Sequence, residues 1–334
     1  MNIHDALQSG RLANLDAVAA ISEAELTRGN GAGMRVIDVA VCNGISVRIY
    51  PDRGLDLGQA WFQGIPLAWI STTGETKPLK YLEGMRWSSA FIGGLMTTSG
   101  LRNVGMPSEG HGLHGTYSHL AAQDVDARRT VTPEGAKVEV TGVVTDPAQP
   151  GPLRHRRSIV VHAGSGRIEL ADATENLGDE AAAVPLLYHF NFGAPLWAPP
   201  ATLDMPVHAT RARDPASEAA IDTWRQPPPV TESSERVLEH DLGEAPVGRA
   251  VLENTQVGLR LTISWDRTAL PRLNQWIDPN PGMSVLGIEP ANCGTRGRAF
   301  ERNALTLPTL PPGETRRTRL TVDVESVSGR ASSE

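Results

Sequence analysis

Apolar residues recur at every second position in many short stretches of this chain, and that pattern restricts the fold more than any other feature. Successive side chains of a strand point to opposite faces, so two-residue alternation marks strands with one face in a core. Ile45, Val47 and Ile49 alternate with Ser46, Arg48 and Tyr50, and the run stops at Pro51 and Gly54. Proline cannot donate to a ladder, so strand followed by turn is the reading. Val138 and Val140 alternate with Lys137, Glu139 and Thr141; Leu259, Leu261, Ile263 and Trp265 alternate with Arg260, Thr262 and Ser264. Gly164-Ser165-Gly166 separates two β-prone runs between Ile159 and Leu170, which predicts a hairpin whose turn uses the positive φ of glycine. After the turn Leu310–Glu314, Leu320, Val322 and Val324 form the last core strand, and Ser326–Glu334 is a polar tail expected to fray.

Few segments compete with this all-β reading. The Ala-rich stretch Leu15–Leu26 is expected to form a short helix capped by Asn14 or Asp16, and Pro195–Pro229 reads as long connections at one end of a sandwich. With 33 glycines and 25 prolines, the composition suits short strands joined by turns. A chain of 334 residues buries enough apolar surface to need no covalent staples, so Cys42 and Cys293 read as free thiols of a cytoplasmic protein. A net charge of −7 with interspersed signs argues against a nucleic-acid partner. The densest basic patch, Arg154, His155, Arg156 and Arg157, reads as a solvated strand edge. No apolar run is long enough for a membrane span, and Met1–Ala20 lacks the basic head of a leader.

Three segments set ionisable groups among glycines, asparagines and aromatics: His111–Gly115, Tyr188–Phe192 and Gly287–Cys293. As metal ligands His111, His114 and His119 lack the rigid helical display of a zinc motif, so no metal is expected. No Gly-x-Ser-x-Gly elbow and no phosphate-binding loop occurs. His189, between two aromatics, reads either as a hydrogen-bonded core histidine or as a proton donor. Glu289 follows the apolar run Val285–Ile288, where burial would raise its pKa and make it a base, although a structural ion pair also fits. In Pro51–Gly58, Arg53 and Asp56 suit either a solvated turn or hydrogen bonds within a polar cleft.

Together Asp52–Asp56, Gly93–Leu101, Leu113–Gly115, Tyr188–Asn191 and Gly287–Pro290 resemble the galactose mutarotase-like superfamily, and more narrowly bacterial aldose 1-epimerase relatives grouped as a family of unknown function. The motifs occur in the family's order and the resemblance covers about residues 32–324. It implies one domain over residues 1–334, a large two-layer antiparallel β-sandwich, the mutarotase-like supersandwich, with a sugar in an open cleft on one concave face. It also implies that His189 is the general acid, Glu289 the general base, and His114 an assistant beside the ring oxygen. Arg53, with Arg102 second, would contact hydroxyls. Narrow relatives often carry Cys where this chain has Ser99.

Anomer interconversion needs only protons, so no cofactor is expected. Glu289 would take the O1 proton while His189, as imidazolium, protonates the ring oxygen. Trp276, Trp87 or Trp197 would stack on the sugar's C–H face, and Asp56, Asn191, Asn292 and Asp278 would complete the hydroxyl-reading set. The expected partner is a small sugar, with no membrane and no nucleic acid, and the protein is expected to be a monomer or homodimer. Two other readings fit the same residues: a carbohydrate-binding protein without catalysis, and another proton transfer on a keto or acidic sugar. Arg53, Arg102, Arg296 and Arg298 favour an anionic substrate in the latter.

Overall fold

A computed structural model describes residues 3–148 and 150–327 of the chain. Strands hold 46% of residues and helices 10%, as the alternation predicts for an all-β chain. Among the described residues the strands form an antiparallel sheet of 11 strands, one of 8, and a pair made by Ala182–Ala183 and Thr309–Leu310. The large sheets share one core. It takes Ile37, Val47 and Ile288 from the first and Val140, Ile159, Ile263 and Val322 from the second, all almost inaccessible to solvent. At about 25 cal/mol per Å2 of apolar surface buried, this two-layer closure is the main force holding the sheets together.

The alternating segments form the expected strands. Ile45–Tyr50, Gly135–Asp146, Leu259–Asp266 and Thr315–Ser326 each bury alternate residues along most of their length. Leu153–His162 and Gly166–Asn176 make the hairpin, with Gly164 at φ +78° in its turn. Of the polar tail, residues 328–334 lie outside the described residues. Cys42 and Cys293 are free thiols.

Two expectations are corrected. Leu15–Ala17 is a single 3-10 turn, with the Asn14 side chain accepting from the Asp16 N–H as a cap, and Ala19–Glu25 is a strand. It pairs along its whole length with Arg35–Val41, and that ladder outweighs the intrinsic helix preference of alanine. The basic patch is not a sheet edge. Its strand lies between two others, burying His155 and Arg157 in the core while Arg154 pairs with Glu175 on the outer face. The Pro195–Pro229 stretch contains strands Thr202–Asp204 and Ala209–Ala212 and a 3-10 helix, Pro215–Ala220.

Three central strands of the 11-stranded sheet carry the functional face. Leu186–Phe192 lies between Met96–Gly100 and Val285–Ala291, and Arg272–Asp278 follows. All seven residues of Leu186–Phe192 are buried, because the core covers one face and loops cover much of the other. No described helix is long and apolar enough to cross a membrane.

Candidate active site

Register brings His189 and Glu289 together. Leu187 pairs with Ala291 and Phe190 with Ile288, so His189 falls directly opposite Glu289, and opposed residues share a face. His189 Nε2 lies 3.1 Å from Glu289 Oε1, with each side chain no more than 5% exposed. They stand in a cavity of about 140 Å3 whose walls include Trp87, Phe91, His114, Arg213, Trp276 and Thr295. Exposed Met85 and Met106 stand at its rim.

The walls are aromatic. The Phe91 and Trp276 rings lie 5.3 and 5.4 Å from the His189 imidazole, edge-on. Trp87 stacks on Phe91 at 4.7 Å and leans on His114 at 4.6 Å. His114 Nδ1 accepts from the Gly105 N–H at 3.4 Å, which leaves Nε2 to carry the ring proton of a neutral imidazole. Trp276 Nε1 donates to Glu235 at 3.0 Å, and Arg213 donates to Glu235 at 3.3 Å and to Asp214 at 2.9 Å. Two carboxylates therefore hold the guanidinium at the cleft wall.

Removal from water dominates the electrostatics. Burial pushes Glu289 up to about 8, with Arg213 opposing and Glu235 reinforcing. Burial likewise pulls His189 down to about 4 and His114 to about 3. Between about pH 4 and 8 the His189–Glu289 pair therefore holds one proton, resting on the carboxyl. In a dry aromatic site the neutral acid and neutral imidazole avoid two buried charges. Moving that proton from the carboxyl to the imidazole would give the carboxylate and imidazolium form of the pair.

Gly287 forms part of the floor. A Cβ there would sit 3.0 Å from His189 Cε1, 3.0 Å from Trp276 Cβ and 3.1 Å from Glu289 Oε1. Gly287→Ala is accordingly expected to push the pair apart, destabilising the fold by about 1–3 kcal/mol and weakening any ligand of the cleft by about tenfold or more. Thermal melting with calorimetric titration checks it; unchanged melting and binding would show that the floor has room.

Of the residues singled out in the sequence, the structure brings His189, Glu289, His114, Trp276 and Trp87 into one cleft. It places the others elsewhere. Arg53 is buried and donates to the carbonyls of Thr76 and Ala90, bracing the segment that carries Trp87. Asp56 accepts from the Thr98 N–H and from Arg157 between the sheets. Arg102 is buried against Asp146 and donates to the Ala148 and Gly151 carbonyls. Asn191 donates to the Gly94 and His189 carbonyls, fixing the His189 strand, while its buried Oδ1 has no hydrogen-bond partner among the described residues. Asn292 ties Leu186 N–H to the Val184 carbonyl, and Asp278 caps a turn through Asn280. Trp197 is a core residue. Arg296 and Arg298 face Glu239 and Glu109. Arg213, Glu235 and Phe91 were missed; Arg213 and Glu235 lie in stretches without periodicity, where only the fold reveals position. Among the described residues no group of three or more His, Cys, Asp or Glu is arranged to hold a metal ion.

Solved structures share this architecture. A provisionally assigned aldose 1-epimerase from Klebsiella pneumoniae superposes with TM-score 0.84 at 21% identity, over 92% of this chain and 84% of that one. A galactose mutarotase-like protein from Clostridium acetobutylicum gives 0.63 at 14%, over 93% and 100% of the two chains. A galactose 1-epimerase from Lactobacillus acidophilus gives 0.55 at 12%, over 92% and 99%. At these identities the likeness establishes the fold, which is galactose mutarotase-like. No curated protein matches the sequence. The family profile described as Domain of unknown function (DUF4432) matches residues 31–324, so the chain belongs to that family.

Proposed function

We propose that the protein interconverts the anomers of a sugar as an aldose 1-epimerase. The observation that carries the reading is the His189–Glu289 contact of 3.1 Å at the floor of an aromatic cleft. Opening a cyclic hemiacetal removes the proton from the anomeric hydroxyl and delivers one to the ring oxygen, both attached to the same carbon. Two adjacent groups that share a single proton suit this demand.

In the forward step Glu289, as carboxylate, takes the O1 proton while His189, as imidazolium, protonates the ring oxygen and the C1–O5 bond breaks. The C1–C2 bond then rotates, and reclosure on the other face of the carbonyl returns each proton by the reverse path. His114 stands beside the pair, its ring 6.0 Å from that of His189, and as a neutral donor it steadies the ring oxygen. Trp276 and Phe91 offer apolar faces to the sugar's C–H groups, and Arg213 with Thr295 offers donors to hydroxyls. The chemistry draws on no cofactor.

Because the active form holds one proton, the rate is expected to follow a bell in pH. It falls below about pH 4, where His189 and Glu289 are both protonated, and above about pH 8, where neither is. Anomer exchange measured by saturation-transfer NMR across pH, beyond the buffer background, checks both limbs. A rate that kept rising through pH 10 would contradict the shared proton. The same measurement over neutral, deoxy, amino and acidic aldoses tests the function. Binding without exchange for every sugar would replace the enzyme reading with that of a carbohydrate-binding protein.

A further inference from the structure

The face that carries the catalytic pair continues toward the edge of its sheet. Asn274 pairs with Glu289, Glu239 with Asn274, and Arg211 with Glu239, so one row of side chains crosses four strands on the same face. At about 4.8 Å per strand the row extends roughly 14 Å beyond Glu289. A single pyranose ring at the pair leaves most of that length uncovered. Along it lies a second cavity, of about 360 Å3, lined by Arg211, Glu239, Asp241, Arg272 and Asn274.

Asn274 is the informative member. It is 1% exposed, and its Nδ2 has no hydrogen-bond partner among the described residues. A buried donor left unpaired is costly, so its position on the cavity wall calls for an acceptor inside. Thr295 Oγ1, 3% exposed and lining the catalytic cleft, is unpaired in the same way. Its neighbour Arg296 reaches Glu239 at 3.7 Å, so Thr295 and Arg296 stand at the border between the two cavities.

The charges in the second cavity balance. Arg211 and Arg272 are matched by Glu239 and Asp241, the first of which also faces Arg296. A phosphate or carboxylate would meet two carboxylates there, whereas hydroxyls, which both donate and accept, find partners of each kind. We propose that this cavity is a second sugar subsite and that the substrate is a reducing disaccharide. Its reducing ring sits at His189 and Glu289, its linkage crosses Thr295, and its second ring takes the Asn274 amide and the Arg211–Glu239 row. The assignment rests on the anomer-exchange reading and deepens it.

Calorimetry and saturation-transfer NMR on the full chain test it, with glucose set against maltose, cellobiose and lactose, galactose against galactobiose, and glucose 6-phosphate as the anionic control. At least one disaccharide is expected to bind about tenfold or more tighter than the monosaccharide matching its reducing end. In Arg211→Ala and in Asn274→Ala that ratio is expected to fall toward one. Arg211 is exposed, so its variant keeps the test valid where loss of the buried amide harms folding. Disaccharides no tighter than their monosaccharides, with exchange still catalysed, would overturn the subsite and leave the function standing. A preserved ratio in Arg211→Ala and a folded Asn274→Ala would overturn its location, and tighter binding of glucose 6-phosphate than of any disaccharide would replace it with an anion site. Neither binding nor exchange for any sugar would overturn both readings together.

Discussion

Glu289→Gln is expected to lower anomer exchange by about a hundredfold to ten-thousandfold while sugar affinity stays within about threefold. Glutamine keeps the shape of the side chain and its place opposite His189 but cannot take or return a proton. The effect should appear in turnover, because the amide still hydrogen-bonds a hydroxyl in the ground state. His189→Asn should act likewise through the other half of the transfer. As the two side chains are 3.1 Å apart and share one proton, losing either disables the pair, and the double variant should be little slower than the worse single one. Multiplying losses would mean that the groups act independently. Wild-type exchange in both single variants, with binding intact, would remove the pair from the mechanism. The exchange rates and calorimetric affinities of the three proteins decide between these outcomes.

How much of this was legible in the sequence follows from what sets each feature. Strands are set by local alternation, so Ile45–Tyr50 and Leu259–Asp266 could be read directly. Ala19–Glu25 could not, since its conformation comes from pairing with Arg35–Val41 rather than from its own residues. His189 and Glu289 stood out because a titratable group in an apolar strand needs a reason to be there. The same reasoning failed for Arg53, Asp56 and Arg102, which have structural reasons that short motifs do not reveal: carbonyls to brace and carboxylates to neutralise inside the fold. Asn191 and Asn292 support the backbone of the functional strands, a role whose local sequence looks the same as ligand reading. Arg213 carried no signal, because the chain reaches the cleft only through the pairing of Ala209–Ala212 with Arg236–Asp241.

Behind the His189 strand, on its core side, lies a buried polar network that joins the two sheets. Arg157, wholly buried, donates to Asp172 at 2.8 Å, to Asp56 and the Gly54 carbonyl at 3.2 Å, and to Thr98 at 2.9 Å. Tyr117 and Tyr188 place their rings 5.2 and 5.8 Å from the guanidinium, and the Tyr188 hydroxyl donates to Asp172 at 2.6 Å. Arg157→Met keeps the length of the stem and removes the charge, leaving two carboxylates buried without it. The expected cost is about 3–5 kcal/mol at pH 7, the range for breaking a buried ion pair from one side. Its pH dependence identifies the cause. Burial alone raises Asp172, but Arg157 and His155 more than offset it and hold the carboxyl below its ordinary range. A depressed carboxyl contributes stability that is present above its unfolded pKa and lost as pH falls through the folded one. Asp56 is raised by burial to about 6 even with Arg157 opposing, so its contribution is present at low pH and fades as pH rises through 6. Without Arg157 both carboxyls move upward, so the variant should weaken more steeply from pH 4 to pH 7 than the protein with Arg157, in which the Asp172 contribution is already in place at pH 4 and only that of Asp56 fades. The difference between the two proteins should therefore be smaller at pH 4 than at pH 7. Urea unfolding of both at the two pH values measures it; a difference below about 1 kcal/mol at pH 7, or one independent of pH, would show that the packing of the two sheets and not this charge network fixes the floor beneath His189.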